Sequence, residues 1–123
     1  MLLFRVGQIR KRMVICSIAL QEKKAKVVFG LSALVGRTIH SNGKAIGSWS
    51  CTSAKFFIRY TVENNYNIHG WELGNELSGS GVRTRVSADQ YAVDIAAVQS
   101  VVEKAYKNVD LKPLIIAPGG LYD

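Results

Sequence analysis

The chain has 123 residues, 48% of them hydrophobic and 20% charged, with a formal net charge of +7 at pH 7. That length suits one small domain, and that apolar fraction excludes an intrinsically disordered chain. No run approaches the roughly 18 continuous apolar residues that a transmembrane helix needs.

Residues 1–26 hold seven basic side chains against Glu22 alone, and the remainder holds nine basic and eight acidic ones. The basicity therefore belongs to the first segment, and the body is nearly neutral. A phosphate-binding face interleaves basic and aromatic residues. None appears, so no nucleic-acid partner is expected. Cys16 and Cys51 show no metal-ligand spacing with each other or with His40 and His69, so neither a metal nor a cofactor is expected. Two separate thiols and a disulfide both stay open.

In chain order, the basic Arg10 to Arg12 precede an apolar run from Met13 to Leu20. This imitates a signal peptide, but the run is short and continues helix-like into charged residues. A helix ahead of the first strand fits better, and residues 1–24 are set apart from a body at 25–123. "KVVFGLSAL" (Lys26 to Leu34) is β-branched and apolar, short enough for a buried strand. "VGRTIHSNGKAIGSWSCT" follows as a loop. Ser53 to Asn65 predicts a helix, with Ala54, Phe57, Ile58, Thr61 and Val62 on one face. "NIHGWELGN" predicts the second strand. Ser87 and Gln90 form an S-x-x-Q capping-box pattern before a helix running to about Lys107. Its apolar stripe is Tyr91, Ile95, Val98, Val102 and Ala105, a core face. "PLIIAPGG" (Pro113 to Gly120) predicts the third strand.

The order β-α-β-α-β implies an α/β fold with a parallel sheet covered on both faces. It suits either a minimal open α/β unit or a piece of a (β/α)₈ barrel.

In such folds the site forms at the carboxyl ends of the strands. Glu76 stands where the second strand hands over to its loop. With a period of two, Glu72, Gly74 and Glu76 share one face, and Trp71, Leu73 and Asn75 the other. Trp71 and Leu73 suit the helix side, which puts Glu72 inside a barrel and Glu76 at its rim. The glycines allow the strand to lose regularity there, bringing Asn75 to the rim. An extended backbone separates the α-carbons of Glu72 and Glu76 by about 13 Å, too far for the paired carboxylates of a glycosidase, about 5–9.5 Å apart. Glu72 is therefore expected to be a buried structural carboxylate paired with a basic or hydroxyl group. On these grounds alone, Glu76 is either a catalytic group or a solvated turn residue.

"FGLSALVGR", "FIRYTVENNYNIHGWELGNELSGSGVRTRVSADQYAVD" and "KPLIIAPGG" together resemble the heparanase-like β-glucuronidases, glycoside hydrolase family 79, above all the branch known from plants. The likeness runs from about Ala25 to the end. It implies a retaining glycosidase on a (β/α)₈ TIM barrel, with these three parallel strands as its third to fifth. It also implies Glu76 as general acid/base and Asn75 as the donor to the sugar 2-hydroxyl. The substrate implied is a glucuronic-acid-containing glycan or glucuronide. The location implied is secreted, extracellular, vacuolar or lysosomal, with peripheral membrane association.

Arg85, in the loop after Glu76, is a candidate to hold the glucuronate carboxylate bidentately, against the plain alternative of a solvated loop arginine. The family's nucleophilic glutamate is expected beyond Asp123, so this chain alone is expected to be inactive. Ser32 stands where asparagine is expected, Ser50-Cys51 where an Asp-containing turn is usual, and Arg83 where glycine is common. The first 15 or so residues do not resemble the family, suggesting a truncated or misassembled product. The competing expectation is a non-catalytic α/β fragment that binds or self-associates through open sheet edges.

Overall fold

The computed structural model describes residues 24–75, 77 and 83–118. Glu76, Cys16 and the expected N-terminal helix lie outside the described residues.

Among the described residues, five strands and two helices follow in chain order: β1 (Val28–Leu31), β2 (Thr38–Ile39), β3 (Ala45–Ile46), α1 (Thr52–Glu63), β4 (Gly70–Leu73), α2 (Ala88–Ala105) and β5 (Leu114–Ile116). β1, β4 and β5 form a three-stranded parallel sheet in that order, with β4 central. The three predicted strands are all present, each shorter than its apolar run. Pairing needs extended backbone and an aligned partner, whereas an apolar run needs only burial.

The register explains the burial. Phe29, Trp71 and Ile115 make one cross-strand row, and Leu31 with Leu73 continues the same face. Strand order follows chain order, so right-handed crossovers place both helices on that face. Phe57 of α1 stands edge-on to Phe29 and Trp71, with ring centroids 5.5 Å from each, while Phe29 and Trp71 stack at 5.6 Å. α2 packs against α1. Trp71, Phe29, Ile58, Leu73 and Val98 are all less than 2% exposed. Each large apolar side chain so buried contributes roughly 1.5–3 kcal/mol.

The helix faces largely follow the predicted periodicity. Ala54, Ile58 and Thr61 are buried on α1, and Tyr91, Val98 and Val102 on α2, with Phe57, Val62, Ile95 and Ala105 half-buried. The Thr61 hydroxyl donates to the Ile58 carbonyl at 2.7 Å. A buried hydroxyl on the α1 core face is thereby satisfied within its own helix.

Two expectations are corrected. The stretch expected as a loop between β1 and α1 contains an antiparallel hairpin, β2 with β3. Its turn carries Asn42-Gly43: Gly43 adopts φ +82°, and Asn42 Oδ1 accepts from the Lys44 amide at 3.0 Å. Asn-Gly between apolar residues is a hairpin signal, obscured in the sequence by the surrounding glycine and serine, which suit a loop equally well. The capping box is only half formed. Ser87 Oγ accepts from the Gln90 amide at 3.4 Å, but the Gln90 side chain turns to Asp94 Oδ1 at 3.0 Å. Among the described residues both helices lie on one face of the sheet. The face bearing Val28, Gly30, Glu72 and Ile116 has no helix on it among the described residues, since both crossovers run the same way.

Candidate functional site

The candidate site grows from the carboxyl end of β4. The Gly74 amide still donates to the Leu31 carbonyl at 2.8 Å, one residue beyond the strand. Gly74 itself takes φ +71°, which breaks the extended run. A side chain there would collide with Leu77 and stand 3.0 Å from Ala33 Cβ, so the position demands glycine twice over. The period-two assignment of faces therefore holds only as far as Leu73. Asn75 therefore inherits no face from the strand, and the 13 Å extended-chain separation loses its premise at Gly74. This corrects the alternation argument while keeping the irregular rim that Asn75 requires.

Residues on either side of the turn are pinned. The buried Tyr91 hydroxyl donates to the Leu73 carbonyl at 2.7 Å. Leu77 is buried, and its carbonyl accepts from the Val86 amide at 3.1 Å. Asn75 is exposed, two residues past the end of β4. Glu76 lies between these anchored neighbours in sequence and outside the described residues.

Glu72 is 8% exposed on the face opposite the aromatic row, flanked in register by Gly30 and Ile116. Its burial is as expected. The expected basic or hydroxyl partner is not found among the described residues.

Arg85 has an exposed side chain on a clamped backbone. Its amide donates to the Gly43 carbonyl at 2.8 Å, and its carbonyl accepts from the Ala45 amide at 2.8 Å. The loop after β4 is thereby docked onto the β2–β3 hairpin. A pocket of about 370 Å³ opens at this seam, lined by Arg85, Lys44, Ile46, Leu77, Ser87 and Gln90 among others. Leu77 and Arg85 are thus brought together, whereas Asn75 is not in the lining.

The hairpin is held from behind by a node that inspection of the sequence missed. The Arg37 side chain donates to the Ala33 carbonyl at 2.7 Å, to the Gly47 carbonyl and to Asp94 of α2. Its side chain is sealed from solvent, and that of Asp94 is 3% exposed. The Trp49 indole donates to the Ser32 carbonyl at 2.9 Å, tying the end of the excursion back to the end of β1. Asp94 carried a signal: an acid between Tyr91 and Val98 sits on the buried stripe. Arg37 carried none.

Cys51 is half-buried just ahead of α1 and makes no side-chain cap bond. Among the described residues no group of three His, Cys, Asp or Glu side chains is arranged to hold a metal ion. No described helix is long and apolar enough to cross a membrane.

The chain is 59% identical over 98 residues to heparanase-like protein 3 of Arabidopsis thaliana, covering 80% of this chain and 18% of that protein. It is 49% identical over 102 residues to heparanase-like protein 1 of the same plant, with the same coverage. It is 36% identical over 115 residues to baicalin-beta-D-glucuronidase of Scutellaria baicalensis, covering 83% and 22%. The chain therefore spans about a fifth of the length of these curated relatives. The family model for the N-terminal domain of glycosyl hydrolase family 79 matches residues 9–123, beginning ahead of the division at residue 25. With a parallel sheet, an Asn-Glu pair just past its central strand and a family match over nearly its whole length, the chain belongs to glycosyl hydrolase family 79.

Proposed function

We propose that this chain is the acid/base-bearing segment of a retaining β-glucuronidase, with β1, β4 and β5 as the third to fifth strands of a (β/α)₈ barrel. The observation that carries the reading is the family match over residues 9–123 together with Asn75-Glu76 immediately past β4. Parallel α/β folds assemble their chemistry at that end of the sheet.

Glu76 protonates the glycosidic oxygen as the bond to the anomeric carbon breaks. It then removes a proton from the water that releases the covalent glycosyl-enzyme. Asn75 donates to the sugar 2-hydroxyl, a contact that strengthens as the oxocarbenium-like transition state forms. Arg85 holds the glucuronate carboxylate through its planar fork. The nucleophilic carboxylate comes from a further strand of the barrel. The two acids described nearby do not suit that role: Asp94 is sealed in an ion pair, and Glu72 stands on β4 itself. Secretion with peripheral membrane association is proposed for the whole protein.

The test replaces the matching segment of heparanase-like protein 3 with this one and compares Glu76 with Glu76→Gln. Hydrolysis of an aryl β-glucuronide should fall by about 10²–10⁴-fold. Azide should restore turnover with a good leaving group and yield the β-glucuronosyl azide, because an anionic nucleophile needs no general base. Glu76→Gln activity within tenfold of the parent, or no azide product, would sink the assignment.

A further inference from the structure

Two cations meet where the hairpin touches the loop after β4. Lys44 and Arg85 are partners in a parallel β-bridge. The bridge is tight because Gly43 permits it: a Cβ there would stand 2.7 Å from the Arg83 carbonyl oxygen. Bridge partners direct their side chains to the same face, and like charges so placed repel one another. Among the described residues no acidic side chain is paired with either of them. Both residues line the 370 Å³ pocket, and the rest of its lining among the described residues is uncharged. Ile46, Leu77 and Val86 supply apolar wall, and Ser87 and Gln90 supply polar groups. Two like charges held side by side on a clamped backbone, backed by apolar wall, suit an anion in the pocket, where the low-dielectric side strengthens attraction.

We propose that Lys44 and Arg85 together form a two-cation subsite for the carboxylate of an acidic sugar. Arg85 receives it along the guanidinium fork, and Lys44 adds a compact charge from the hairpin. The inference rests on the glycosidase reading above and adds Lys44 to it as a specificity-determining residue. The hairpin thereby acquires a role that its place between β1 and α1 does not suggest.

The experiment titrates the 123-residue chain with D-glucuronate at low ionic strength, with D-glucose and inorganic sulfate as separate probes. Glucuronate should bind saturably and glucose about tenfold more weakly, the difference of one charge-assisted contact. Lys44→Gln and Arg85→Gln should each weaken glucuronate binding about fivefold. Both side chains are exposed, so the core does not depend on them. Lys44→Arg should retain binding, and Lys55→Gln, an exposed α1 lysine outside the pocket, should leave it unchanged. The proposal is overturned by absence of saturable glucuronate binding in the parent, by glucose binding as tightly, or by Lys44→Gln binding like the parent. A Lys55→Gln loss as large as that of Lys44→Gln, which marks a non-specific charge effect, overturns it too. Sulfate binding without glucuronate binding would overturn the carboxylate assignment. The hydrolysis test reads turnover at Glu76 and this one reads binding at Lys44 and Arg85, so failure of one and failure of the other are separable.

Discussion

Replacing Asp94 by asparagine tests what holds the hairpin excursion against α2. The Arg37 side chain is fully sealed and that of Asp94 3% exposed, although the Arg37 backbone is partly open. Asp94→Asn keeps volume and an acceptor but leaves a guanidinium buried without its counter-charge. Removing one member of a buried pair costs about 3–5 kcal/mol. Asparagine can still accept from Arg37, so the lower end, about 3 kcal/mol, is expected. Arg37→Met should cost about as much, since it strands the carboxylate with only the Gln90 amide at 3.0 Å. The double variant Arg37→Met/Asp94→Leu removes both charges and fills the site with apolar groups, so it should be less destabilised than either single variant. Urea unfolding followed by circular dichroism measures all four proteins. With a slope of about 1.5 kcal/mol per molar for a chain this size, each single variant should lower the midpoint by roughly 2 M. The shift should barely respond to added salt, because a sealed pair is poorly screened. A midpoint change under about 0.3 M for Asp94→Asn, or strict additivity in the double variant, would refute the claim that this pair organises the loop.

Gly74→Ala should destabilise by about 2–4 kcal/mol, combining left-handed backbone strain with the collision against Leu77 and Ala33. Leu77→Ala on top should recover part of that loss. A fully additive cycle by thermal unfolding would contradict the packing described. Trp71→Ala should cost about 3–5 kcal/mol, and Trp71→Phe only about 1 kcal/mol, because the buried indole N–H has no hydrogen-bond partner to lose among the described residues. Equal costs for the two substitutions in denaturant titrations would show that the N–H is satisfied. Ser87→Ala should cost about 0.5–1 kcal/mol, the lower part of the range for lost caps, given the 3.4 Å bond. A larger loss of α2 amide protection in hydrogen exchange would mean that Ser87 does more than cap.

What the sequence by itself determined were the features written in local periodicity. Ala54, Ile58 and Thr61 recur at helical spacing and are buried together; Trp71 and Leu73 alternate with Glu72 and fall on the helix side. These follow because a 3.6-residue or two-residue repeat sends apolar groups one way whatever surrounds them. The quoted blocks likewise carried the family before any coordinate did, and the Asn42-Gly43 turn was legible to closer inspection. Only the tertiary structure decided that β4 stops at Leu73. Gly74 turns because Ala33 and Leu77, from different segments, occupy the space a side chain would need. Nothing local in the sequence pairs Arg37 with Asp94 or sets Lys44 beside Arg85, because those partners lie 57 and 41 positions apart and meet only once the hairpin docks on the loop and α2. Charge partnerships of that kind have no period in sequence, since the chain between them is free to take any path until packing selects one.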